Sequence, residues 1–170
     1  MAKTTRATQF LDKAGVAYTT ATYDYDPNAE RIGLQAAEAI GEHPSRVLKT
    51  LMAQLDGKPV CVVVPSDKEV SMKKLASAFG GKSAAMMKPA KAEKLTGFVV
   101  GGISPFGQKR QVPTAIEISA MDEALVYMNG GQRGFRLFRV IAGRFESGEA
   151  DELDRVLVVG SFLRKDHPLL

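Results

Sequence analysis

The chain has 170 residues, 45% hydrophobic and 25% charged, which is ordinary globular composition with room for one full core. No apolar run approaches the roughly 18 residues of a membrane-spanning helix, and the N-terminus has neither the apolar stretch nor the cleavage site of a secretory signal. A formal net charge of +4 is mild, and a single cysteine excludes an intrachain disulfide framework or a cysteine-based metal site. These features lead us to expect a soluble, cytoplasmic protein without membrane association, folded as one domain over residues 1–170.

Ala7, Phe10, Leu11 and Ala14 recur at helical spacing before Gly15, so the chain should open with an amphipathic helix. "VAYTTATY" alternates as a strand does, and "GLQAAEAIG" reads as a short helix bounded by glycines. "VLKTLMAQL" and "PVCVVVP" flank "DGK" as the arms of a hairpin. Ser71 can cap a helix over "MKKLASAFG", and "KPAKAEKLTG" forms another with proline near its start. "TAIEIS" reads as a strand, and "ALVYM" and "FRLFRVI" surround a glycine-rich turn, "NGGQRG". From Glu149 to Arg164 the apolar spacing suggests a helix interrupted by Gly160. Hairpins mixed with short helices predict an α+β fold, a mixed and mostly antiparallel sheet surrounded by short helices.

Charge is unevenly placed. Between Lys68 and Lys94 stand seven lysines and two glutamates, which is either a solvated helical face or a surface for a polyanion. The two histidines, His43 and His167, lie in no context that supports a Ser-His-Asp arrangement. Metal-ligand spacings and phosphate-cradling glycine motifs are missing too, so neither a metal nor another cofactor is expected. What remains is Lys49, on a strand face with Val47 and Leu51. Such a lysine either snorkels at a sheet edge, the reading that spacing favours, or aims its charge into a pocket. Thr50 points to the opposite face of a regular strand. The loop "VVGGISPFGQKRQVP" has more glycine than a chain reversal needs, while Ser104 within it has no visible base and can simply cap the turn.

Five segments, "TYDYDPNAERIG", "VLKTLM", "SMKKLASAFGGKSAAMM", "TGFVVGGISPFGQKRQVPT" and "VYMNGGQRG", in this order and spacing, resemble the YbaK/EbsC family of aminoacyl-tRNA deacylases. Within it they are most similar to the YbaK branch that acts on Cys-tRNA(Pro). The resemblance implies an editing-domain fold and removal of a mischarged amino acid from tRNA. It places the required lysine at Lys49, followed by Thr50, the GxxxP motif at Gly101, Gly102, Ile103, Ser104 and Pro105, and the aromatic after the first strand at Tyr23. It further implies that the substrate's own thiol attacks its ester, the Gly101–Gly102 region stabilising the oxyanion and Lys49 holding the substrate. Members of that branch carry serine, aspartate and an aromatic where this chain has Asn129, Arg136 and Ile32, so the pocket differs in shape and charge.

The absence of tryptophan and of RNA-reading aromatic motifs predicts modest RNA affinity of its own. A partner such as prolyl-tRNA synthetase would then select the tRNA. Two other readings stay open: a deacylase for another small amino acid such as alanine, using the terminal ribose hydroxyl, and a non-catalytic tRNA- or synthetase-binding module.

Overall fold

The computed structural model describes residues 4–140 and 156–159. Helix α1 (Arg6–Lys13) starts at Thr5, whose hydroxyl accepts the N–H of Thr8 while the Thr8 hydroxyl accepts that of Thr5. Strand β1 (Thr19–Thr22) is followed by α2 (Ile32–Ile40) and a 3-10 turn at Pro44–Arg46. Then come β2 (Leu48–Leu55) and β3 (Lys58–Pro65), joined through Asp56 and Gly57 at φ 48° and 82°, the left-handed pair that an Asp-Gly hairpin turn requires. Helix α3 (Met72–Ala78), capped by Ser71, precedes β4 (Ala84–Met86), α4 (Pro89–Thr96) and β5 (Thr114–Glu117). Strands β6 (Leu125–Gln132), β7 (Phe135–Val140) and β8 (Val156–Val159) complete the set.

The strands form two sheets, ordered β4-β2-β3-β5-β8 and β1-β7-β6. Every strand pair is antiparallel except β3 with β5, so the architecture is the expected α+β arrangement of mixed, mostly antiparallel sheet and short helices. Strand β3 lies inside the larger sheet and is buried from Val60 to Pro65, which explains its unbroken apolar run. Leu48 and Met52 face a core shared with α1, α4 and β6, while Ala53 and Leu55 face a second one under α3.

Two local expectations change, and one strand was not anticipated. The tail segment contains a strand at Val156–Val159, antiparallel to β5, where periodicity suggested helix. A short apolar run rich in valine fits a strand as well as a helix face, and the open edge of β5 decides between them; the rest of that tail segment lies outside the described residues. The glycine-rich turn is smaller than it looks. Asn129 to Gln132 belongs to β6 as an irregularity in register, and the chain reverses at Arg133 and Gly134. Strand β4 has no sequence signal, being three residues long. It is positioned by the Asp56 carboxylate, which accepts the N–H groups of Lys82 and Ser83 at 3.0 and 2.9 Å.

Candidate active site

The two sheets meet at one parallel bridge, between Val47 and Tyr127. Beyond it they part. Strand β2 keeps β3 on one side, but its other edge gains a strand partner only at Ala53, where β4 begins to pair. Parallel register carries Lys49 and Asn129, each two residues past the bridge, to the two sides of this split. A cavity of about 390 Å³ opens there, bounded by Lys49, Thr50 and Leu51 of β2, Asn129 of β6, Gly101 and Ile103, the start of α2, and Ser66 and Glu69 beyond β3. Because the cavity wraps round an open strand edge, Lys49 and Thr50 both line it although they leave the strand on opposite faces.

Lys49 is half-buried and makes no ion pair or hydrogen bond among the described residues. Burial pushes its pKa down from 10.5, the Arg31 charge adds to this, and Glu69 and Asp67 oppose it. The Thr50 hydroxyl is buried without a hydrogen-bond partner among the described residues. A native protein seldom leaves a buried hydroxyl unsatisfied unless a water or a ligand completes it.

Asn129 shapes the opposite wall. Its amide nitrogen donates to the Gly101 carbonyl at 2.9 Å, and its amide oxygen accepts the Gly131 N–H at 2.9 Å. Arg133 donates to the Val100 carbonyl at 2.9 Å and lies 5.3 Å over the Tyr25 ring. Gly101 sits at φ 89°, where a Cβ would come 3.1 Å from the Tyr25 hydroxyl and 3.2 Å from the Arg133 Nε. A Cβ on Gly102 would press on the backbone of Gln132 and Arg133 at 2.9–3.1 Å. Both positions therefore need glycine, one for its dihedral angle and both for close approach. The Gly102 N–H donates to the Val99 carbonyl at 2.8 Å, whereas those of Gly101 and Ile103 have no partner among the described residues.

The cavity thus unites Lys49, Thr50, Ile32, Gly101, Ile103 and Asn129 from the residues expected on sequence grounds. Gly102, Ser104 and Pro105 are buried behind it, the Ser104 hydroxyl accepting the Phe106 N–H at 3.2 Å. Tyr23 packs beside Ala36, Ala37 and Tyr127 and is not part of the lining. Arg136 pairs through its backbone with Asn129 and Ala21. Sequence reasoning missed Glu30, Arg31, Ser66 and Glu69. Their only local signal is position, in the charged loops "DPNAER" and "PSDKE" before α2 and after β3.

Chemically the cavity offers two cations, Lys49 and Arg31, and two carboxylates, Glu30 and Glu69, none of them in an ion pair among the described residues. Its one serine, Ser66, donates its hydroxyl to the Val47 carbonyl in a short bond. Cys61 is buried in the core, where loss of solvation pushes its thiol up to about 12. His43 is tied to Ser45 at 2.8 Å, away from the cavity, and His167 lies outside the described residues. The site offers charged and hydrogen-bonding groups, and among the described residues it has no activated nucleophile.

The aminoacyl-tRNA editing domain model matches residues 26–144. EbsC of Enterococcus faecalis, described as a candidate Cys-tRNA(Pro)/Cys-tRNA(Cys) deacylase, is 30% identical over 135 residues, 78% of this chain and 81% of that protein. The multifunctional Ser/Thr-tRNA deacylase ProXp-y of Escherichia coli is 25% identical over 59% of this chain and 60% of its own length. A crystal structure described as a candidate trans-editing enzyme for prolyl-tRNA synthetase superposes with a TM-score of 0.69, covering 79% of this chain and 84% of that one at 20% identity. With the matched region spanning the whole cavity, the chain belongs to the aminoacyl-tRNA editing domain family, in its YbaK/EbsC group of deacylases.

Proposed function

We propose that this protein removes mischarged cysteine from tRNA(Pro) in trans, using the substrate thiol as nucleophile. The observation that carries the reading is an unpaired, half-buried ammonium at Lys49 in a cavity that has no activated nucleophile among the described residues. The cysteinyl ester enters with its carbonyl oxygen toward Lys49 and the N–H groups of Gly101 and Ile103. These charges and dipoles are already in place and strengthen as negative charge develops on that oxygen. The thiol sulfur bonds to the carbonyl carbon, the ester C–O bond breaks, and the terminal ribose oxygen leaves with the thiol proton. The strained thiolactone released is then hydrolysed by water. Serine follows this route poorly, because a hydroxyl is a much weaker nucleophile than a thiol near neutral pH.

Glu69 and Glu30 face the free α-ammonium, and the Thr50 hydroxyl takes a ribose hydroxyl. Ile32 sets the width of the cavity. Asn129 holds Gly101 in register, while Gly102, Ser104 and Pro105 hold the loop itself. Tyr23 and Arg136 support the strands behind the wall. No cofactor takes part, and a cytoplasmic prolyl-tRNA synthetase supplies the tRNA selection that the cavity does not.

Amino-acid release from Cys-tRNA(Pro), Ala-tRNA(Pro) and Ser-tRNA(Pro) tests the reading. Cysteine should be lost fastest. Faster loss of alanine would replace the thiol mechanism with one using the ribose hydroxyl, and release no faster than in buffer would leave a binding module.

A further inference from the structure

The cavity has room for an aminoacyl group and its ribose, so the rest of the RNA must run across the surface beside it. We propose that the outer face of α4, from Lys88 to Lys94 and continued by Lys109, carries the sugar–phosphate backbone of the RNA leading to the cavity. This rests on reading the cavity as the ester site.

Two hydrogen bonds tie α4 to the elements that bound the cavity. Just before the helix, the Met87 N–H donates to the Met52 carbonyl of β2 at 3.0 Å, two residues beyond Thr50. Farther along, Glu93 accepts the Val100 N–H at 2.9 Å, next to Gly101. The helix therefore leads from the open edge of β2 to the glycine loop. Ala92 and Thr96 turn inward and are buried, which leaves Lys91 and Lys94 on the exposed side, with Lys88 exposed at the N-terminal end. Lys109 extends the line. Its N–H donates to the Thr96 carbonyl at 2.9 Å, and its methylenes lie so close to Gly97 that a Cβ there would sit 2.9 Å from the Lys109 Cγ.

The face is strongly net positive. From Lys88 to Arg110 there are five cations and one carboxylate, Glu93, which is occupied by Val100. None of the five forms an ion pair among the described residues. A face serving only solubility would gain from mixed signs, whereas a single sign suits phosphates. Between the ridge and Gly101 stand Val99 and Val100, 55% and 36% exposed, which offer an apolar step to the last unpaired base. Eight residues of helix span about 12 Å, enough for roughly three or four phosphates of one strand.

The test pairs Lys91→Glu/Lys94→Glu with Lys73→Glu/Lys74→Glu, the same charge change on α3 against the other core. Each is assayed on full aminoacyl-tRNA and on the aminoacyl ester of adenosine, and for binding of uncharged tRNA. The α4 variant should raise KM for tRNA at least tenfold and weaken uncharged-tRNA binding to match. Its slope of log KM against log salt should fall by about 2. Its turnover of the adenosine ester should stay at the wild-type rate, and the α3 variant should behave as wild type on every measure. Equal tRNA affinity in the two variants overturns the proposal, as does equal loss on both substrates. Wild-type protein that cleaves neither ester refutes the reading of the cavity instead, and uncharged-tRNA binding then still decides the ridge.

Discussion

Replacing Lys49 by methionine separates catalysis from stability. Methionine keeps an unbranched stem of similar length and removes the charge. Because the ammonium has no ion pair or hydrogen bond among the described residues, its loss strands no buried partner. Burial first and Arg31 second already depress its pKa, so folding holds a charge there against a small penalty. With the folded pKa below 10.5, the unfolded chain binds more protons between the two values, and the Lys49 contribution to stability rises with pH across that window. Lys49→Met should therefore change unfolding free energy by no more than about 0.5 kcal/mol, a shift of roughly 1–2 °C in Tm. Its effect on the reaction is larger. Removing a preorganised charge from a developing oxyanion costs about 10²–10³ in rate, roughly 3–4 kcal/mol. Thermal unfolding and single-turnover deacylation of Cys-tRNA(Pro) read the two quantities separately. Deacylation within about threefold of wild type would remove Lys49 from the reacting ester, and a Tm drop beyond about 6 °C would show that the ammonium is structural. In the wild type, the enzyme-dependent rate above the buffer control should also begin to fall at lower pH than an ordinary lysine would dictate.

Asn129→Ala leaves the Gly101 carbonyl and the Gly131 N–H without their partner, so stability should drop by about 1–3 kcal/mol and deacylation should fall with it; unchanged activity at reduced stability would show that the clamp does not position the reacting loop. The Glu123 carboxyl is held below its ordinary value by a hydrogen bond from Ser45 at 2.7 Å and then by Arg46 at 2.9 Å. Its stabilisation is present above the unfolded pKa and is lost as pH falls through the folded one, so Glu123→Gln should lower Tm near neutrality and flatten the acid side of the Tm–pH curve; parallel curves for the two proteins would contradict this. Cys61, with its thiol pushed up to about 12, should resist thiol reagents in the native protein and react on unfolding, an outcome that stoichiometric labelling of folded protein would exclude.

Interactions within one turn or one hairpin are written into adjacent residues, and these were the legible part. Ser71 binds an N–H group three residues on, Asp56-Gly57 supplies the left-handed turn, and Ala7 with Leu11 repeats the helical period. Together with the ordered motifs around Lys49 and Gly101, they were enough to read the α+β class and the family. Burial of a whole strand also shows locally, as in "VCVVVP". The helix expected near the C-terminus misled because Val156–Val159 has no local preference that outweighs the free edge of β5, which lies about forty residues earlier in the chain. The cavity belongs entirely to the tertiary structure. It exists because β2 and β6 touch at Val47 and Tyr127 and then diverge, and no window of sequence contains both strands. That divergence lets Thr50 share a site with Lys49, turns Asn129 toward Gly101, and admits Arg31 and Glu69. Local patterning by itself determined which elements form and put Lys49 on β2; strand pairing over long sequence separations decided which side chains meet, because it sets which backbone edges stay open and which charges are left without partners.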